Sequence, residues 1–482
     1  MTKKNIIILA AGLAVIALLA ALYGIVSFGG KDTQPDTTPD SEEIKVEKVF
    51  TTNSIEKLSS ILLTKGNETE YLIRKDATID SFLIDGLENH NYSTYFDNVI
   101  SSATGLSVTG EIENPLDDSN YGLSDADEPY ILTVTGVDGT AETAVIGAKL
   151  LSDDGYYCKK IGREGIFTIG NAANSFLKDK YSLISTLLEK ELDQAKYHYT
   201  EKLVVYKENK KLVEISLVPE NEQDKYDAYG YYRMDYPSQS YTVSDVNYDK
   251  LLKLLISPAA DTVITADLSD DNLKKYGFMA DDGTPNPSCE VNYTLDGEKR
   301  ILYFGKRTED GLVYVMSPAS GFIGIAGVES HFPFINWELI DYVNPVLFGM
   351  NINYLSKLKI AGKDFSDTYT LEGENDGITV KNESGKLIDA KNFRSLYRVL
   401  LMTNMEGYAD STETDDLMLS FTLEKKDGRV QEFKFYRISN LKCFYTINGD
   451  GEFYVSLDDV EKIISDAKKL ALGEMIDADA RI

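Results

Sequence analysis

A tyrosine-dense stretch comprising Tyr226, Tyr229, Tyr231, Tyr232, Arg233, Tyr236 and Tyr241 is the part of this chain whose residue types come closest to recognition chemistry. Tyrosine and arginine supply large contact faces with polar tips, a combination favoured at protein interfaces and suited to stacking on sugars. These seven are the candidate partner-binding residues. The competing reading is structural: the stretch sits in an insertion between a strand and a helix, where tyrosines could pack their own loop onto a sheet.

Other chemistry finds little support. Asp117 to Glu128 places Asp117, Gly122, Asp125 and Glu128 at the first, sixth, ninth and twelfth positions of a calcium loop. Tyr121 fills the fifth position, where a ring cannot replace a ligand oxygen, so the segment reads as a turn into a strand with weak, adventitious cation binding at most. His90, His198 and His331 share no metal-ligand spacing. Cys158, Cys289 and Cys443 are odd in number and far apart, giving neither a disulfide framework nor a Cys-x-x-Cys motif, so buried free thiols are expected. Phosphate-binding glycine loops and nucleophile elbows are missing from the sequence. The expectation is a non-enzyme with no catalytic residue, cofactor or metal.

Composition narrows the partners. With 78 acidic against 49 basic residues, the net charge of −29 repels nucleic acid and anionic headgroups. A hydrophobic content of 43% is that of a folded chain, and 482 residues allow about three domains at roughly 150 residues each.

The N-terminus carries a membrane signal. Lys3-Lys4 precede an apolar run from Ile6 to Phe28, long enough to cross a bilayer core of about 30 Å as a helix. The positive flank keeps the N-terminus cytoplasmic and places the remainder outside. Small residues around Ala17 to Ala21 suit a cleaved signal, but the run exceeds the usual apolar segment of about 7–15 residues. It is therefore read as an uncleaved anchor, with Lys31 to Glu43 as a solvated tether.

What must position any site is a repeat. Asn91-Tyr92-x-x-Tyr95-Phe96 returns as Asn247-Tyr248-x-x-Leu251-Leu252 and as Asn392-Phe393-x-x-Leu396-Tyr397, each opening an apolar segment with helical spacing. Asparagine there suits a helix N-cap. Hairpin-like strands precede each helix, and an Asp-Gly hairpin follows at Asp138-Gly139, Asp296-Gly297 and Asp427-Gly428. Pro129, Asp138 and Gly147 align with Pro287, Asp296 and Gly305 at one constant offset, and Tyr121-Gly122-Leu123 matches Tyr276-Gly277-Phe278. The third copy lacks the Tyr-Gly turn and has Tyr436 in place of the glycine, as a diverged terminal copy would.

Tyr121-Gly122-Leu123, Pro129, Asp138-Gly139, Ile146-Gly147 and Tyr156-Tyr157 together resemble a repeat family of unknown function, single-pass membrane proteins associated with ABC transporters of the gliding-motility type. The resemblance implies an extracytoplasmic accessory protein whose partners are an ABC permease and ATPase. It carries over no catalytic residues.

The expected fold class is α+β: three tandem related modules of mainly antiparallel sheet with packed helices, plus one N-terminal transmembrane helix. The expected divisions are an anchor at 1–30, a tether at 31–44, and modules at 45–195, 196–345 and a divergent 346–482. The expected function is a membrane-anchored accessory or scaffold of an ABC-type transport system, touching the bilayer through residues 6–28. The alternative is an independent cell-envelope module that binds glycan or protein through the tyrosine stretch.

Overall fold

The computed structural model describes residues 47–192, 200–219 and 231–479. The apolar run at 6–28 lies outside them, and no helix among the described residues is long and apolar enough to cross a membrane.

The first sheet contains β1 (Leu58–Lys65), β2 (Glu68–Asp76), β3 (Ser81–Ile84), β4 (Val108–Glu111), β5 (Tyr130–Gly136), β6 (Ala141–Lys149), β7 (Gly155–Lys160) and β8 (Phe167–Gly170). Its order is β3-β2-β1-β5-β6-β7-β8-β4, antiparallel throughout. Between β3 and β4 the chain forms α1 (Phe96–Thr104) and crosses one face, so β4 lands on the edge opposite β3. Alternation explains the burial: Leu132 and Val134 point inward from β5, and α1 covers them with Phe96, Val99, Ile100 and Ala103.

The second sheet repeats this plan with β9 (Thr200–Lys207), β10 (Lys210–Leu217), β11 (Tyr232–Tyr236), α2 (Asp245–Ile256), β12 (Thr262–Thr265), α3 (Asp270–Tyr276), β13 (Cys289–Leu295), β14 (Glu298–Arg307), β15 (Leu312–Met316) and β16 (Ile323–Gly327). Two short turns of helix follow, α4 (Val328–His331) and α5 (Leu339–Tyr342). The third contains β17 (Leu355–Gly362), β18 (Ser366–Glu372), β19 (Thr379–Asn382), β20 (Leu387–Ile388), α6 (Ala390–Leu401), β21 (Met405–Tyr408), β22 (Leu417–Lys425), β23 (Val430–Arg437), β24 (Lys442–Ile447), β25 (Phe453–Ser456) and α7 (Leu457–Leu472). Its order, β20-β19-β18-β17-β22-β23-β24-β25-β21, is the same topology with one added edge strand.

The diverged third copy is thus a complete topological unit, and its two lost marks are one structural event. A Cβ on Gly147 would lie 2.3 Å from the Tyr121 carbonyl oxygen, and on Gly305 2.2 Å from that of Tyr276. The Tyr-Gly turn lies directly on the strand and tolerates only glycine beneath it. Without that turn, the third copy accommodates Tyr436, which stacks on Phe444.

The repeated asparagine is not the helix cap. The residues at the N-caps are Tyr95, Ser244 and Asp389, and Asp389 accepts from the Asn392 amide. Asn247 and Asn392 sit in the first helical turn, whereas Asn91 precedes α1. In modules two and three the asparagine side chain holds the returning tail of the module, whereas in module one only the backbone of Asn91 does so, at the place that Thr242 takes in module two. Asn247 Nδ2 donates to the Asp341 carbonyl at 2.9 Å, Asn392 Nδ2 donates to that of Glu474 at 2.7 Å, and the Asn91 carbonyl accepts from Ser185 N–H at 2.7 Å.

Candidate interaction surfaces

The joints between modules follow one rule. The tail of module one pairs with its own pre-helix loop, as Ser93 N–H donates to Leu183 O and Ser185 N–H to Asn91 O. Module two repeats this with Ser244 N–H to Tyr342 O and Asn344 N–H to Thr242 O. A few residues on, each tail pairs with the post-helix segment of the next module, at Leu187 with Ala259 and Val346 with Asn404. The chain enters module one the same way, at Lys48 with Ser107. Each sheet therefore meets the next end to end: the loops after β3 and β11 form the upper end of one module, and the β15–β16 and β24–β25 turns belong to the lower end of the next.

Between modules one and two, His90 Nε2 lies 3.2 Å from the Gly321 carbonyl, and Ser317 Oγ donates to the Glu189 carboxylate, both of these side chains being buried. Burial pushes the Glu189 carboxyl above its usual range, against the lowering pull of Ser317 and Arg300. Arg300, also buried, donates to the Lys190 carbonyl at 3.2 Å. A cavity of about 120 Å³ lies here, lined in part by Asn89, His90, Glu189 and Ser320. It has room for a few waters around polar walls.

The equivalent contact at the lower end of module one uses opposite chemistry. Glu142 occupies the position of Arg300, and its carboxylate accepts from Thr51 N–H at 2.8 Å, from Thr52 N–H at 3.3 Å and from Lys160 Nζ at 2.6 Å. Burial works to raise this carboxyl, but the hydrogen bonds outweigh it and hold it at about 2. One repeat position thus binds the incoming chain through an anion in one copy and a cation in the next.

At the joint between modules two and three, Ser238 Oγ and Ser240 Oγ donate to Asp450, at 2.5 and 3.3 Å. Tyr241 sets its ring edge against Phe453 with centroids 5.4 Å apart.

This placement divides the tyrosine stretch. Tyr226 and Tyr229 lie outside the described residues. Tyr241 is buried in the joint, and Tyr232 packs edge-on against Tyr248 beneath β11. Tyr231 and Tyr236 are exposed, Tyr236 with Lys211 over its ring, while Arg233 pairs with Asp235 at 2.7 Å. The stretch is not one surface, because its members on β11 alternate between faces and the loop beyond turns into the next module.

The remaining candidates have structural partners. In the Asp117 to Glu128 segment, Asp118 pairs with Lys159 at 2.8 Å, Asp127 closes a capping box with Ser124, and Gly122 packs on Ala148. No group of three or more His, Cys, Asp or Glu side chains among the described residues is arranged to hold a metal ion. His331 lies between Ser330 Oγ, 2.9 Å from Nδ1, and Asp261, 3.4 Å from Nε2, and fastens α4 to the start of β12. His198 lies outside the described residues. The three cysteines are free and buried, and burial pushes each thiol up to about 12.

Sequence reasoning missed the joint residues His90, Glu189, Arg300 and Ser317. The available signal was the alignment itself: Glu142 and Arg300 share a repeat position and differ in charge. No protein-family model, curated protein or solved structure matches this chain.

Proposed function

We propose that this chain is a non-enzymatic, membrane-anchored scaffold of an ABC-type export system, with residues 6–28 in the bilayer and three modules held outside the cell membrane. The observation that carries the reading is the repeated joint. Each module is fastened to the next by paired backbone and by buried side chains, and the apolar core runs without a break from Val49 to Ile476. Such a body is stiff, since bending it means breaking buried contacts rather than swinging a linker. A strand of eight residues such as β1 rises roughly 26 Å, so three modules end to end reach on the order of 75 Å. A rod of that length on a single anchor suits the task of presenting a long surface to a permease, its ATPase complex or a cargo. The transporter assignment rests on the resemblance of the Tyr-Gly turn, the Asp-Gly hairpin and the Ile-Gly element to transporter-associated repeat proteins.

Copurification tests it. The intact chain, tagged at its C-terminus and extracted in mild detergent, is expected to bring an ABC permease and its ATPase in comparable amounts, identified by mass spectrometry. Recovery of neither, together with binding of envelope glycan by the same chain, replaces the transporter reading with an independent envelope-binding module.

A further inference from the structure

Among the described residues, the lower end of module one is the one sheet end of this kind with no module beneath it. Antiparallel register brings four segments there: the turn before β1, the β2–β3 turn, the β5–β6 turn and the β7–β8 turn. Each carries an exposed aliphatic side chain, Ile55, Ile79, Val137 and Ile161. Val137 and Ile161 are 65% and 66% exposed; by strand register Ile161 corresponds to Pro318, also exposed, and Val137 is an added residue of the β5–β6 turn. The tips at this end of the first copy are aliphatic, where those of the β13–β14 and β15–β16 turns are Asp296-Gly297 and Pro318-Ala319. With strands about 4.8 Å apart, tips two strands apart stand roughly 10 Å from one another, forming a row rather than scattered single residues.

The chain outside the structure limits what can meet this row. It enters the fold beside this end, where Thr51 and Thr52 bond to Glu142 next to the β5–β6 turn. The apolar run ends at Phe28, leaving residues 29–46 as the connection. A coil of that length spans about 25 Å. Even fully extended it reaches no more than about 65 Å. Glu56, Asp80, Asp138 and Glu164 surround the tips against Lys57 and Lys75, and among the described residues Asp80 alone of the four carboxylates is ion-paired, to Lys75. Such a rim repels anionic headgroups.

We infer that Ile55, Ile79, Val137 and Ile161 seat the first module on the bilayer surface among uncharged, zwitterionic headgroups, standing the rod upright on its anchor. The inference rests on the reading of residues 6–28 as a membrane anchor. Aliphatic tips entering the headgroup boundary lose water contact, and the strength of such seating grows with the apolar area buried. The short tether then sets orientation as well as attachment.

The test uses the full chain in phosphatidylcholine vesicles containing brominated lipid, with Val137→Trp, Ile161→Trp or, at the far end of module three, Leu441→Trp. After subtraction of the Trp337 background, quenching of the first two is expected to exceed that of the third at least threefold. Quenching no greater than at Leu441→Trp, in chains that float with the vesicles, overturns the seating and leaves the anchor standing. Concentration-dependent dimerisation in detergent alongside that result makes a second copy the occupant instead. Stronger quenching in vesicles rich in phosphatidylglycerol overturns the headgroup assignment. A wild-type chain that fails to float overturns both the anchor and the seating.

Discussion

Replacing Gly147 or Gly305 by alanine isolates the contact that distinguishes the first two modules from the third. The new Cβ would sit 2.3 Å from the Tyr121 oxygen and 2.9 Å from the Gly122 oxygen in module one, and 2.2 Å from the Tyr276 oxygen in module two. A carbon and a carbonyl oxygen rest about 3.3 Å apart at their closest ordinary approach, so the turn must retreat by roughly 1 Å. The opposing atoms are backbone, and in module one the retreat also strains the Asp118–Lys159 ion pair. A cost of about 2–3 kcal/mol follows for each substitution. Within a unit of some 150 residues this corresponds to about 5–10 °C in thermal midpoint. Circular dichroism of the full chain measures the shift, and hydrogen exchange at 117–128 or 270–280 locates it. Tyr436→Ala, at the matching position of module three, meets no turn and should cost about 1 kcal/mol through its lost ring contact. If both glycine variants melt and exchange like wild type, the close approach of turn to strand is not what selects glycine.

Three further outcomes are expected. Glu142 has a depressed carboxyl, so its contribution is full above the ordinary value of 4.5 and is lost as pH falls from there toward about 2. Glu142→Gln should cost about 2 kcal/mol at pH 7 and little at pH 2, as read from denaturant midpoints; an equal cost at both would exclude linkage to this carboxyl. Glu189 has a raised carboxyl, so its protonated state favours the folded joint below 4.5 and that stabilisation fades as pH rises through the raised value. Glu189→Gln should therefore melt higher than wild type at pH 7 and alike at pH 4, and a lower midpoint at pH 7 would refute the burial penalty. Tyr241→Ala should cost about 3 kcal/mol by emptying the joint beside Phe453, while Tyr231→Ala, on the surface, should stay within about 0.5 kcal/mol. Equal effects in the two would contradict the division of the tyrosine stretch.

The repeat was legible because the devices that build it are local. An Asp-Gly pair turns a hairpin wherever it lies between alternating apolar strands, and Gly139, Gly297 and Gly428 all adopt positive φ. The helical spacing of Phe393, Leu396, Tyr397 and Leu400 likewise holds, all four buried under one face. The asparagine misread as a cap is the instructive exception. A side-chain amide just before an apolar helix suits capping, but a tail arriving 82 or 94 residues later competes for it, and Asp341 and Glu474 carry no mark of that in the sequence.

The candidate surface was less legible than the fold. Composition singled out tyrosines, yet exposure depends on which strand face and which neighbouring module each one meets. Tyr241 and Tyr231 are alike in type and lie close in sequence, but Phe453, more than two hundred residues away, buries one and leaves the other in water.

The sequence by itself determined the number of units, their turns and the inward face of each helix, because periodicity and glycine chemistry act over a few residues. Only the tertiary structure decided that both halves of each module form one sheet, that β4, β12 and β21 cross to its far edge, and that successive sheets meet end to end. Those outcomes depend on contacts between distant segments, whose free energy becomes available only once the chain has closed the loops that join them. Among the described residues the same closure leaves the lower end of module one with no module beneath it, and it turns a row of otherwise unremarked isoleucines and a valine into a surface.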